Sequence, residues 1–188
     1  MNFQDRAKFV FAYSIKELMK DEALDKITVS QIAEHCGTTR QTFYRYFRDK
    51  YELVTWYFDI IVQKAIYQMG KSMTLQEGLE KKFTFMREDK AFFISAFSSG
   101  DYNSLLAYDY RCILAFYTAI AESNSAGPLP DDIAFLLEFY CHGSMDQTMA
   151  WAQKGMTLEP EKMAAMLVEA MPQRLGEYLN DLSMVSPE

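Results

Sequence analysis

The stretch of this sequence richest in recognition chemistry is short: Arg40-Gln41-Thr42-Phe43-Tyr44-Arg45-Tyr46-Phe47, then Arg48-Asp49-Lys50. Read as a helix at about 100° per residue, Phe43 and Phe47 share one side, and Gln41 and Arg45 point most directly away from them. Thr42 and Arg48 flank that outer pair, Tyr44 and Tyr46 lie at the two borders, and Arg40 sits at the N-terminal tip. An outward amide and guanidinium are the groups that pair bidentately with adenine and guanine edges in a DNA major groove. The hydroxyls of Thr28, Ser30, Thr39, Thr42, Tyr44 and Tyr46 and the Lys50 ammonium suit phosphate oxygens, which position a protein on a duplex without reading its sequence. The expected DNA-contact set is Thr28, Ser30, Thr39, Arg40, Gln41, Thr42, Tyr44, Arg45, Tyr46 and Lys50. Each of these side chains would also suit a plain solvated face. Their order within a capped two-helix unit favours double-stranded DNA as the partner.

Elsewhere the chemistry is thin. Cys141 and His142 are adjacent, and adjacent helical residues diverge, so a core or interface histidine is a better reading than a metal ligand. Arg111 lies in an aromatic segment beside Tyr108 and Tyr110, where it suits either an anionic or hydroxylated ligand or a structural carboxylate partner. Tyr108, Arg111, Tyr140 and His142 are the expected lining of a small-molecule site. No phosphate-binding glycine loop, nucleophile motif or persuasive carboxylate pair appears, so no catalytic residue, metal or cofactor is expected.

The elements that must hold the reading face are helices. Periodicity and breakers place them near 4–20, 28–36, 39–47, 50–71, 75–87, 89–98, 102–123, 131–154 and 160–180, with stops at Gly37, Gly100, the Ser123–Pro130 stretch and Gly155. The first shows an apolar face at Ala7, Phe11, Ile15 and Leu18. Thr28 suits an N-cap, Val29, Ile32, Ala33 and Cys36 form the inner side of the second helix, and Gly37 suits its C-terminal cap. Thr38-Thr39 then turns into the third helix. This is helix–turn–helix spacing.

The segments Ile27-Thr28-Val29-Ser30-Gln31-Ile32-Ala33 and Gly37-Thr38-Thr39-Arg40-Gln41-Thr42-Phe43-Tyr44-Arg45-Tyr46-Phe47-Arg48-Asp49-Lys50 resemble the DNA-binding domain of TetR/AcrR-type transcriptional regulators. Ala23 departs from the glycine that ends the first helix in many members. Arg40-Gln41-Thr42-Phe43-Tyr44 leading to Asp49-Lys50-Tyr51-Glu52-Leu53-Val54-Thr55-Trp56, with Trp151-Ala152-Gln153-Lys154-Gly155-Met156, is similar to the subgroup of dihydroxyacetone-kinase operon regulators. The resemblance implies an all-α fold: a three-helix helix–turn–helix domain over 1–49, then a larger helical ligand-sensing and dimerisation domain over 50–188. It also implies a homodimer joined through the last two long helices, and a signal carried by the helix near 50–71. The expected control is by a small-molecule effector; the alternative is a protein partner docked on the helical domain, with no small-molecule ligand.

Composition agrees with this division. Of 188 residues, 49% are hydrophobic and 24% charged, which excludes a disordered chain. The net charge of −7 is split: residues 1–50 hold nine Lys/Arg against seven Asp/Glu, whereas the remainder holds 10 against 19. Unlike charge in the two parts suits unlike partners. The 14 Phe, 12 Tyr and two Trp call for a ring-rich interior and suggest an enclosed cavity bounded by helices near 50–71, 75–98, 102–123 and 131–154. The helix near 102–123 is apolar all round and is expected at the centre. That near 131–154 has two apolar stripes: Ile133, Leu137, Tyr140 and Ser144, and Phe135, Phe139 and His142. Three scattered cysteines, a polar start and no apolar run of about 20 residues point to a cytoplasmic protein without a membrane partner.

Overall fold

The computed structural model describes residues 3–125 and 127–183; Met1, Asn2, Ala126 and the last five residues of the expected second domain lie outside the described residues. The fold is all-α. Its helices are α1 (Phe3–Leu18), α2 (Val29–His35), α3 (Arg40–Tyr44), α4 (Lys50–Lys64), α5 (Leu75–Glu88), α6 (Lys90–Phe97), α7 (Leu105–Ser125), α8 (Asp131–Gln153), α9 (Pro160–Glu169) and α10 (Gln173–Tyr178). Short 3-10 turns lie at Ile66–Gln68 and Asn180–Ser183. No described helix is long and apolar enough to cross a membrane.

Local chemistry sets the boundaries around α2 and α3. Thr28 and Gln31 form a capping box: Thr28 Oγ1 accepts from Gln31 N–H at 3.2 Å, and Gln31 Oε1 accepts from Thr28 N–H at 2.7 Å. Gly37 ends α2 at φ +65°, with Thr38 N–H donating to Ala33 C=O and Gly37 N–H to Glu34 C=O, each at 2.9 Å. That is the paired Schellman closure, whose left-handed residue favours glycine. Thr39 caps α3 and Asp49 caps α4, each accepting the N–H three residues on. The first three helices close on Phe11, Ile15, Ile32, Phe43 and Phe47; the Phe11 and Phe43 rings meet edge-on at 5.3 Å.

The helices expected near 39–47 and 50–71 end sooner, and the one near 160–180 is broken where its proline is expected to break it. The α4 helix does not continue to residue 71: buried Ala65, at φ −120° and ψ −67°, breaks it, and the chain turns so that Ile66 and Met69 also enter the core. Gly78 of α5 makes that turn possible, since a Cβ there would stand 2.5 Å from Met69 Cγ and 3.2 Å from the Ala65 carbonyl. Pro172, lacking an N–H, separates α9 from α10. The reading helix itself ends at Tyr44, with Arg45 N–H and Tyr46 N–H turning onto Thr42 and Phe43 carbonyls. The α7 helix buries one stripe, Leu105, Asp109, Ile113, Tyr117 and Ala121, while Arg111 and Ala115 face solvent. It is therefore a wall of the core rather than its centre.

Candidate nucleic-acid interface

Phe43 and Phe47 are buried at 0% and 3% exposure, which fixes the rotation of the third helix. Arg40, Gln41, Tyr44 and Arg45 are all exposed on its other side, with Tyr44 half in solvent and its ring edge-on to Phe43 at 5.7 Å. Tyr46 is half-buried against Phe11 at 5.9 Å. Thr28 and Ser30 are exposed at the start of α2. Thr39 spends its hydroxyl on the cap and a 3.1 Å contact with Thr42 Oγ1, so these two hydroxyls form a pair at the tip of α3.

Lys50 is used differently from the phosphate contact expected of it. Its ammonium donates to the carbonyls of Leu24, Asp25 and Ile27 at 2.7, 2.8 and 2.7 Å. A lysine has three N–H donors, and all three are spent. Burial lowers its pKa despite the pull of Asp25 and Asp101. Lys50 thus ties the loop between α1 and α2 to the start of α4. Sequence reading missed this because the acceptors are backbone carbonyls about 25 positions away, which leave no mark in side-chain pattern.

Of the four expected ligand residues, Tyr108 and Arg111 come together, whereas Tyr140 and His142 lie apart from them. Tyr108 donates to Asp59 Oδ1 at 2.5 Å, joining α7 to α4, and burial together with Asp59 raises its pKa. Arg111 is exposed, its guanidinium 5.9 Å from the Tyr108 ring centre; both line an open cleft of about 250 Å³ with Arg48, Tyr51, Thr55 and Asn103. Tyr140 is in the core and donates to the Leu167 carbonyl at 2.8 Å. His142 stands on the outer side of α8, stacked on Tyr110 at 4.2 Å, while Cys141 beside it is fully buried.

Between the helices expected to bound an enclosed cavity, buried side chains pack against one another, and an open groove of about 420 Å³ lies beside Tyr67, Met69, Phe116 and Ile120. Lys82 and Asp109, at 1% and 0% side-chain exposure, form an ion pair of 2.6 Å between α5 and α7. Phe58 lies 5.5 Å beneath the Lys82 ammonium, Phe83 meets Trp151 edge-on at 5.3 Å, and Tyr117 approaches Tyr140 at 6.3 Å.

Two family models match this architecture in chain order. Residues 14–55 match the bacterial regulatory proteins of the tetR family, and residues 73–173 match a transcriptional regulator C-terminal region. The chain belongs to the TetR family. Its first three helices are thus the DNA-binding part of a TetR-family transcriptional regulator. A curated relative, the HTH-type dhaKLM operon transcriptional activator DhaS of Lactococcus lactis subsp. lactis (strain IL1403), is 30% identical over 88 residues. That match spans about half of each protein, 47% in both cases. The solved structure of a dihydroxyacetone kinase operon activator DhaS superposes with a TM-score of 0.63 at 19% identity, covering 89% of this chain and 95% of that one. At that identity the superposition speaks for the TetR-family fold.

Proposed function

We propose that two copies of this regulator pair and read a palindromic operator, with Gln41 and Arg45 contacting base edges and Arg40, Thr42, Tyr44 and the exposed hydroxyl of Ser30 holding the phosphates, while the Thr28 hydroxyl, expected among them, is spent on Gln31 Oε1 at 2.7 Å. Tyr46 contributes its hydroxyl from the border of the same face. The observation that carries this reading is the rotation of α3, which buries Phe43 and Phe47 and leaves Arg40, Gln41, Tyr44 and Arg45 free. The DNA-binding unit is residues 1–49 and the regulatory unit 50–188. One short helix reads too few base pairs for a genomic site, and a two-fold pair sets half-sites about 34–36 Å apart or a multiple of that.

The α8 helix is the proposed seam. Its first apolar stripe, Ile133, Leu137, Tyr140 and Ser144, is buried within the chain. Its second is not: Phe135 and Phe139 are each 67% exposed and stack on one another at 6.3 Å. A Cβ at Gly143, on the same side, would meet nothing within 4 Å, so a facing helix has room to approach. The expected contribution of the last helix is smaller, because Met163 and Leu167 are spent on the interior, where α9 packs along α5, leaving Met166 exposed.

Control is by a small-molecule effector, for which the open groove of about 420 Å³ beside Tyr67, Phe116 and Ile120 has ligand size, or by a protein partner docked on the helical unit. The likeness to DhaS makes a dihydroxyacetone kinase operon the first set of genes in which to seek the operator. Selection of bound duplexes from a random pool tests the DNA reading; recovery of no common sequence refutes it. Sedimentation of the free protein tests the seam. The parent is expected as a dimer, and Phe135→Asp with Phe139→Asp as a folded monomer. A parent sedimenting near 21.8 kDa at micromolar concentration rejects the seam. A thermal-shift screen of small metabolites tests the form of control: a specific, saturable stabilisation by one of them supports the small-molecule effector, and none across the screen supports the protein partner.

A further inference from the structure

Beyond residue 50 the chain has three arginines among a large excess of acids. Two of them are spent on carboxylates: Arg87 pairs with Glu159 at 2.6 Å, and Arg174 pairs with Asp132. Arg111 is not. Among the described residues no carboxylate pairs with it, and its contact is the Tyr108 ring, centred 5.9 Å from the guanidinium. The Tyr108 hydroxyl is bonded to Asp59 of α4, so the ring is a fixed seat. Arg111 is thus exposed yet positioned, and its five N–H donors are spent on no acid.

The α4 wall of the same cleft supplies a second guanidinium. Arg48 holds Glu52 Oε2 by its Nε at 3.3 Å and by its backbone N–H at 2.5 Å. Its two terminal nitrogens make no bond among the described residues, and its side chain is 85% exposed. Asp49, also on this wall, is turned to the helix end, where it accepts from Glu52 N–H at 2.8 Å. That leaves Glu52 Oε1 and the exposed Asn103 side-chain amide unspent at the rim. The cleft, of about 250 Å³, has room for about eight waters at about 30 Å³ each, or for slightly more bonded heavy atoms. It is too small for a drug-sized ligand.

Two guanidinium forks on one small space suit a phosphate, whose three terminal oxygens can accept from both. A carboxylate has two oxygens and is filled by one fork. A carboxylate oxygen and an amide beside the forks suit ligand hydroxyls. We propose that this cleft binds a small hydroxylated phosphate ester, with Arg48 and Arg111 on the phosphate and Glu52 and Asn103 on the hydroxyls. The site lies where the DNA-binding unit meets α7, and it shares no residue with the apolar groove beside Tyr67 and Phe116. Its part in control rests on the small-molecule form of regulation, whereas the binding itself does not.

Calorimetric titration of the full chain with glycerol 1-phosphate, without DNA, tests the site. One saturable event per chain is expected, with Kd below about 10 mM, inorganic phosphate and succinate each at least about tenfold weaker, and glycerol silent. Arg48→Met and Arg111→Met are each expected to weaken binding at least about tenfold. Their thermal melts should stay within about 2 °C of the parent, since both side chains are exposed. Arg111→Lys keeps the charge but not the fork and should weaken binding by a smaller factor; it is read in place of Arg111→Met if that variant does not fold. The absence of saturable binding overturns the proposal. Equal affinity for inorganic phosphate or succinate overturns it too, as does parent-like binding by either methionine variant. Competition with the selected duplex then tests control separately: a ligand that fills the cleft without changing DNA affinity leaves the site standing and removes its part in control.

Discussion

Removing the carboxylate of Asp109 should be among the most damaging single changes to this fold. Lys82 Nζ lies 2.6 Å from Asp109 Oδ2 and 2.9 Å from Oδ1, with both side chains closed to solvent. Asp109→Asn leaves the ammonium without an anion in a site walled by Phe58, at a cost of about 3–5 kcal/mol. Domains are stable by only about 5–15 kcal/mol, so the loss is a large share of the whole. At about 2–4 °C per kcal/mol for a chain of this size, the melting midpoint should fall by roughly 6–20 °C. Lys82→Met combined with Asp109→Leu removes both desolvated charges and should be neutral, or more stable by up to about 4 kcal/mol. Urea and thermal unfolding of the parent, Asp109→Asn and the double variant check this. The reasoning is refuted if Asp109→Asn unfolds within about 1 kcal/mol of the parent, or if the double variant is as unstable as the single one. A double variant that still binds DNA would also show that the pair is a structural pin between α5 and α7.

On the reading face, Gln41→Ala and Arg45→Ala should each lose about 1–3 kcal/mol of discrimination between sequences, measured as competition between the selected duplex and variants of it. Lys50→Met should instead lower folding stability by about 1–3 kcal/mol through its three lost charge-assisted bonds, while leaving the salt dependence of DNA binding unchanged. A salt slope lowered by one unit would mean that Lys50 meets phosphate after all. Gly78→Ala should destabilise by about 1–3 kcal/mol in thermal melts, because its Cβ would overlap Met69 and crowd the Ala65 carbonyl. Burial raises the pKa of Asp59 despite the opposing bond from Tyr108, so the folded state holds that proton more tightly than the unfolded chain does. Its ionised form therefore costs stability in full above the raised pKa, and the cost shrinks as pH falls below that value and is gone below the ordinary carboxylate range. Asp59→Asn, which keeps an oxygen for Tyr108, should melt above the parent at neutral pH, with the difference shrinking on acidification.

Much of the DNA-binding unit was legible because its determinants are local. Thr28, Gly37 and Thr39 set helix ends through bonds to residues three to five positions away, and Phe43 and Phe47 are one turn apart. Such signals survive in a linear reading, so the helix–turn–helix and its outward Gln41 and Arg45 were visible before the fold was. The two stripes of α8 were visible too, since both obey one helical period. Which stripe faces inward was not, because Ile133/Leu137 and Phe135/Phe139 are equally apolar and only the position of neighbouring helices separates them.

What tertiary structure alone decided is how side chains far apart in sequence spend their bonding capacity. Lys50 looked like a phosphate ligand until the carbonyls of Leu24, Asp25 and Ile27 were found around it. Tyr108, Arg111, Tyr140 and His142 looked like one site, but helical phase sends them to a bond between α7 and α4, an open cleft, the core and an outer face. Asp109 looked like one acid among many until burial made Lys82 its partner. A pattern of residue types records which surfaces prefer water and where helices begin and end. It does not record which donor meets which acceptor across 25 or more positions, because that pairing depends on how the helices dock and not on any repeat along the chain.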